Sequence, residues 1–437
     1  MGKQDFEPKL VSQKTVLDSV FLAGAYSLFW AYLLLSFISP SLFLPSVPSI
    51  LFENTLLAGL GILAFVLLQV FSSKKPFLYR QEKLSFFFWT AALVSLFLPA
   101  MNLILAYGYE IPWWILALGW IGWGLSAGFL YPLFGTAWSV IDREHDSRKT
   151  SPKLICVSYI GTACLSIAVF FAPLIVSALL LAAYCIGALV LFSAISSRLP
   201  QIRGASTESF FEKFNPTVSP KRFFPIVIGA TLPIALFFSI ITFGALVTLA
   251  LCSGGCLAAG VVLFVEIHSS KTPMVNELIE RFFFPIAAAS LFCTSFLPGV
   301  LRLIPLFVLL ANYIMYCIFH WAFLTAQSHR YSFSTPCHFS LGLRNPAVGL
   351  FYGCGVSAIV LFFPEPSAWY QILFFGLTAL FVIITSLVPY AADPLFEIDV
   401  LNPDITETMD EERLGLWKRK CRALAQRTGL SPREEEF

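Results

Sequence analysis

The sequence predicts an all-α integral membrane protein with twelve transmembrane helices. Hydrophobic residues make up 57% of its 437 residues and charged residues only 12%, whereas soluble domains are about a quarter charged. Apolar stretches of about 20 residues, the length that crosses a hydrocarbon core of about 30 Å, recur along the chain. Charged residues collect between these stretches, as expected for a chain that crosses the bilayer repeatedly.

Twelve stretches reach this length, and we interpret each as one membrane span. The fifth and sixth spans, like the seventh and eighth, are separated by very tight turns. In order, the spans cover residues 16–38, 50–71, 84–106, 112–139, 154–173, 175–195, 223–242, 245–266, 282–298, 302–325, 346–363 and 368–390.

The distribution of basic residues predicts the orientation. Lys and Arg gather in cytoplasmic loops, and with the N-terminus inside, all of the 28 Lys and Arg residues except Arg302 fall in cytoplasmic segments. An error of one span would reverse this bias for every later loop. We therefore expect both termini in the cytoplasm of a bacterial cell, with the bundle in its inner membrane.

The longest internal connection divides the spans into two sets of six, which predicts bundles at 1–195 and 223–390 joined by a cytoplasmic linker at 196–222. Twelve spans, a basic central loop and internal termini resemble the major facilitator superfamily, whose halves are six-helix bundles built from inverted repeats. The resemblance covers residues 16–390. The loop after the second span should carry Gly-x-x-x-Asp-Arg-x-Gly-Arg in that superfamily, but residues 72–81 contain neither glycine nor acid, which speaks against transport.

The tail changes character after the last span. Residues 391–405 are irregular and acidic, and a helix is predicted from a cap at Thr406 to a stop at Gly429. This linker helix, within the segment 391–429, is basic and has one apolar stripe. The stripe could form a dimer seam, or it could pack on a following domain or on the membrane surface. It consists of Leu414, Trp417, Cys421 and Leu424.

The last residues, 430–437, have the pattern of a helix start. Ser431 suits the N-cap, Pro432 the first helical position, and Glu434 completes a capping box. The stretch resembles the opening of the LuxR-type helix-turn-helix domain. That resemblance implies a DNA-binding domain whose base-contacting helix lies downstream of this chain, while an ordinary capped helix is the alternative. The matching residues are Leu430, Ser431, Arg433, Glu434, Glu436 and Phe437.

Ionisable residues at membrane depth are costly and usually functional, and the spans contain few of them. The sequence shows no phosphate-binding loop, no zinc-protease motif and no nucleophile elbow. We therefore expect no enzyme activity, no cofactor and no metal site. The charged residues in or beside spans are all predicted near span ends, where they can reach water: Asp18, Glu53, Glu110, Glu266 and Arg302.

Aromatic side chains supply the candidate ligand site. In the superfamily that the chain resembles, the first, fourth, seventh and tenth spans line a central cavity, which implies that residues on these spans meet. An aromatic cavity with few polar groups suits a neutral or amphiphilic small molecule. As alternatives, the tryptophans could be ordinary helix packing and His320 could be solvated. The candidates are Tyr26 and Trp30, Trp120 and Trp123, and a polar stripe of Asn312, Tyr316 and His320.

These patterns together predict a membrane-bound transcription regulator of the LuxR type. Its bundle would sense a small molecule, and a cytoplasmic helix-turn-helix domain would act on DNA. The alternative is a major-facilitator-type secondary transporter of a neutral or amphiphilic small molecule.

Overall fold

A computed structural model describes most of the chain as helix. The described residues are 7–43, 47–74, 76–79, 81–144, 150–198, 223–269, 274–330 and 336–387. They form thirteen α-helices and two short 3₁₀ turns, at Pro76–Tyr79 and Gly299–Arg302. The α-helices are α1 Glu7–Phe43, α2 Pro48–Lys74, α3 Gln81–Ser95, α4 Phe97–Ala106, α5 Trp113–Glu144, α6 Thr150–Phe171, α7 Leu174–Arg198, α8 Phe223–Phe243, α9 Ala245–Ser269, α10 Met274–Phe296, α11 Leu303–Arg330, α12 Pro336–Phe362 and α13 Pro366–Leu387.

The described helices confirm an all-α protein that crosses the membrane many times. Eleven apolar helical segments are long enough to span a bilayer, and α3 and α4 together provide one of them. The shorter apolar part of α10, Phe283–Phe296, supplies the twelfth. From the fourth span onward, each helix label is therefore one higher than the number of its span.

One predicted boundary is wrong. The eleventh span was expected to begin at residue 346, but α12 begins at Pro336 and its apolar part at His338. Arg344, which the prediction assigned to a loop, is half-buried within this helix. The helix continues through Pro346. The proline leaves the carbonyl of Gly342 without its helical partner, and the side chain of His320 on α11 contacts that carbonyl instead.

The helix contacts repeat between the two halves. In the first half α1 packs on α6 and α2 on α5, and the equivalent helices of the second half pair in the same way, α8 on α12 and α9 on α11. The halves meet along two seams, one between α2 and α12 and one between α6 and α9. The described helices thus form two bundles of six spans.

Glycines allow helix backbones to touch at several of these contacts, as small residues do in membrane proteins. A Cβ atom added to Gly124 of α5 would overlap the carbonyl oxygen of Gly61 on α2. One added to Gly349 of α12 would overlap the carbonyl oxygen of Ile226 on α8. Larger side chains would force these helix pairs apart.

Three prolines free a backbone carbonyl that another helix then satisfies. Pro132 and Pro346 lie inside α5 and α12, and Pro99 lies near the start of α4. Proline has no N–H, so the carbonyl four residues earlier loses its helical partner. In lipid such a carbonyl needs another donor, and a side chain of a neighbouring helix approaches each one. The contacts are Tyr32 Oη to Ser95 O at 2.8 Å, Gln69 Nε2 to Gly128 O at 2.7 Å and His320 Nε2 to Gly342 O at 3.2 Å.

Candidate functional site

Five aromatic residues from four helices meet at the centre of the bundle. We call Tyr26, Trp30, Tyr131, Tyr159 and Trp321 the central aromatic cluster. The ring of Trp321 lies 4.7 Å from that of Tyr131 and 5.2 Å from that of Tyr26, and Trp30 lies 5.1 Å from Tyr159. None of the five is more than 9% exposed. Because α1, α5 and α6 belong to the first half and α11 to the second, the cluster joins the two halves.

The cluster contains both paired and unpaired polar atoms. Trp321 Nε1 donates a hydrogen bond of 2.7 Å to Tyr131 Oη. Tyr26 Oη, Trp30 Nε1 and Tyr159 Oη are buried and make no hydrogen bond of normal geometry with the described part of the chain. Buried polar groups in proteins almost always have partners, and a tyrosine hydroxyl can donate or accept whereas the indole N–H only donates. These three atoms are therefore the candidates in this cluster for contacts with the polar groups of a small molecule.

Two of the predicted ligand residues, Tyr26 and Trp30, lie in this cluster. The predicted pair Trp120 and Trp123 is also buried, at 2% and 4% exposure. It lies outside the cluster, two to three turns before Tyr131 on α5. The two indoles are 5.5 Å apart and both contact Phe37 of α1. Trp123 Nε1 has no hydrogen-bond partner among the described residues. Their role in ligand binding remains a prediction.

The polar stripe on the tenth span contacts neighbouring helices. Asn312 Nδ2 donates to Phe283 O of α10 at 3.0 Å, and the ring of Tyr316 lies edge-on to Phe283 and stacks on His320. His320 Nε2 lies 3.2 Å from Gly342 O of α12, which requires a proton on that nitrogen because the carbonyl can only accept. This contact gives His320 a structural role and differs from the solvated alternative. Ligand binding by the stripe stays a prediction.

Sequence reasoning missed Tyr131, Tyr159 and Trp321. Trp321 directly follows His320, and adjacent helical residues point about 100° apart, so a stripe chosen for its polarity excluded it. A search for aromatic residues eight positions apart on the tenth span, which lie on one face of a helix, would have found Tyr313 and Trp321. Tyr131 and Tyr159 stand in apolar runs in which nothing distinguishes them from packing residues.

Most of the charged residues expected near water lie where predicted. Glu53 and Glu110 are exposed, and Arg302 is half-buried beyond the end of α10, where its Nε donates to Leu297 O at 2.6 Å. Its guanidinium lies 5.8 Å from the centre of a phenylalanine ring, that of Phe238. Asp18 differs from the prediction because it is only 3% exposed.

Comparison with known proteins identifies the fold. The chain matches no protein-family profile and no curated protein sequence. Among solved structures it is similar to a mutant of the nucleoside transporter NupG, with a TM-score of 0.56 and 13% identity over 86% of this chain and 100% of that one. It is also similar to the human organic anion transporter MFSD10, with a TM-score of 0.52 and 13% identity over 86% and 99% of the two chains. The fold is major-facilitator-like.

The prediction of a LuxR-type regulator is wrong. The two solved structures described above, each similar over 86% of this chain, are transporters, and no helix-turn-helix family matches it. The interpretation depended on an eight-residue resemblance, and a capped helix start of that length is common to many unrelated helices. The DNA-binding role and the dimer seam have no support. The residues concerned lie outside the described residues: Leu414, Trp417, Cys421, Leu424, Ser431, Arg433 and Glu434.

Proposed function

We propose that this chain is a secondary transporter of a neutral or amphiphilic small molecule, which it binds at the central aromatic cluster and moves without chemical change. The observation that carries the proposal is the position of the cluster. It joins both halves of a major-facilitator-like fold and holds three buried polar atoms that make no hydrogen bond of normal geometry with the described residues. A ligand bound there would contact both halves, so movement of one half against the other would alter its access to each side of the membrane.

The chemistry of the cluster favours a substrate with an apolar or aromatic body and a few hydrogen-bonding groups. The five rings offer flat apolar surfaces, while the hydroxyls of Tyr26 and Tyr159 and the indole N–H of Trp30 offer directional contacts. None of the five cluster side chains is a carboxylate, amine or guanidinium. A neutral nucleoside has this combination, and the similarity to NupG makes it the first probe to test.

Uptake of radiolabelled uridine into proteoliposomes is expected to be saturable and to depend on these polar atoms. Tyr159→Phe and Trp30→Phe keep an aromatic ring but remove the hydroxyl or the indole N–H. Loss of one buried hydrogen bond to a ligand costs about 1–3 kcal/mol, so each variant should lower kcat/KM by roughly 5- to 140-fold. Trp113→Phe is the matched control, because Trp113 is exposed at the start of α5.

Two results would contradict the proposal. One is uptake that both variants leave unchanged. The other is the failure of uridine and of a panel of neutral and anionic amphiphiles to be taken up or to raise the melting temperature, since a bound ligand stabilises the folded state.

We further propose the orientation that the basic residues indicate, with both termini in the cytoplasm of a bacterial cell. Reporter fusions after residue 206 and at the C-terminus should both give the cytoplasmic signal. An external signal from either fusion would contradict this orientation.

A further inference from the structure

Further contacts between the halves extend from the central aromatic cluster toward the membrane face at which α1 begins, called here the N-terminal face. Phe339, one turn into α12, packs directly on the α5 backbone at Gly135, where an added Cβ atom would overlap its ring. One turn earlier on α5, Tyr131 accepts the hydrogen bond of Trp321 from α11. Trp321 and Phe339 in turn stack on each other, with ring centres 5.6 Å apart. Two rings of the second half thus dock side by side on one helix of the first.

Both α5 and α12 contain a proline close to these contacts. The carbonyl freed by Pro132 is that of Gly128, about two turns before Gly135, and Gln69 of α2 donates to it. The carbonyl freed by Pro346 is that of Gly342, which lies about one turn after Phe339 and is contacted by His320 of α11. A helix bends most easily where its hydrogen-bond ladder is interrupted. The end of α5 that carries Gly135 and the start of α12 that carries Phe339 are therefore joined to the rest of their helices at interrupted hydrogen-bond ladders.

We propose that Tyr131, Gly135, Trp321 and Phe339 form a latch that closes the N-terminal face between the halves. The interrupted hydrogen-bond ladders at Pro132 of α5 and Pro346 of α12 are the pivots about which it opens. The proposal rests on the proposed transport function, because only a protein whose halves move apart needs a latch. Gly135 is the specific requirement, since any side chain there displaces Phe339. Gln69 is a positioning residue, because it keeps the Gly128 carbonyl hydrogen-bonded while α5 bends.

The latch can be tested by distances between spin labels, measured without substrate in detergent or nanodiscs. One pair, on cysteines replacing Phe86 of α3 and Ile383 of α13, reports on the N-terminal face, and both sites are exposed. A second pair, replacing Tyr107 and Val300, reports on the opposite face. The labels are placed in full-length protein whose ten native cysteines are replaced by alanine and which melts like its parent.

Gly135→Leu should shift the first distance distribution to longer values and should not lengthen the second. Gly355→Leu is the matched control, because an added Cβ atom at this α12 glycine meets nothing within 4 Å. If Gly135→Leu does not fold, Trp321→Phe serves instead, because it removes only the hydrogen bond to Tyr131. An unchanged first distribution in the folded variant would overturn the latch, whereas failure of uridine uptake would count only against the proposed function.

The pivot of α5 is tested by a double-mutant cycle on melting temperature. Gln69→Leu should lower it, because the Gly128 carbonyl then has no donor in lipid. In a Pro132→Ala background residue 132 has its own N–H, so the same Gln69→Leu change should cost much less. Equal losses in the two backgrounds would show that Gln69 does not act through the carbonyl that Pro132 frees, and would overturn its positioning role.

Discussion

Replacing Gly59 with cysteine is expected to link the two halves covalently and to stop transport. A Cβ atom at Gly59 of α2 would lie 3.6 Å from the Cβ atom of Cys354 on α12, within the range of about 3.5–4.5 Å found in disulfides. The residue pair lies on a seam between the halves, in the part of the membrane away from the latch. Oxidation with a membrane-permeant catalyst should give the disulfide, which peptide mass spectrometry detects, and uridine uptake should fall to background.

Reduction should restore uptake, and two controls separate the cross-link from the substitution. Gly59→Ala, and Gly59→Cys combined with Cys354→Ala, should both keep their uptake after oxidation, because each lacks one of the two thiols. Both should also fold, because the added Cβ atom has only ordinary van der Waals contact. Full uptake by the cross-linked protein would show that transport does not require α2 and α12 to separate here. Failure of the disulfide to form would contradict the pairing of these two helices.

Gly124→Val is expected to lower the stability of the folded protein strongly. The backbones of α2 and α5 touch at this point, and even a methyl group on Gly124 would overlap the Gly61 carbonyl oxygen. Overpacking typically costs 1–3 kcal/mol, and a clash with backbone, which cannot rotate away, should lie at or above the top of that range. The yield of folded protein and its melting temperature should both fall.

Gly376→Val in α13 is the matched control, because it makes the same exchange within a helix where nothing lies within 4 Å of the added Cβ atom. It should melt within a few degrees of the parent. Equal losses in the two variants would mean that helix propensity, and not the contact between α2 and α5, explains the effect.

The fold could be predicted from the sequence because a bilayer imposes a length on each span that appears directly as an apolar run. The one misplaced boundary shows where this approach fails. Arg344 and Pro346 look like the end of a loop when the chain is read alone, but a helix can continue through them when His320 on another helix supplies the missing donor. Such compensation between helices depends on tertiary contacts that a single chain segment does not reveal.

The site was only partly predictable for a related reason. Tyr26 and Trp30 stood out because aromatic residues are conspicuous on the first span, and both lie in the cluster. Trp321 was not predicted, because the polar His320 beside it is the more unusual residue in a membrane span. In the structure, the polar groups of Asn312 and His320 bind backbone carbonyls of neighbouring helices. A polar residue in a span can therefore serve helix packing as readily as ligand recognition.

The central aromatic cluster is divided unequally between the halves. Tyr26, Trp30, Tyr131 and Tyr159 all come from the first half, and only Trp321 comes from the second. The three polar atoms of the cluster that make no hydrogen bond of normal geometry with the described residues also belong to the first half. A ligand held there would keep most of its contacts when the halves part, so it would travel with the first half as cargo. The second half would then close over the bound ligand and contact it, within the cluster, through the indole ring of Trp321.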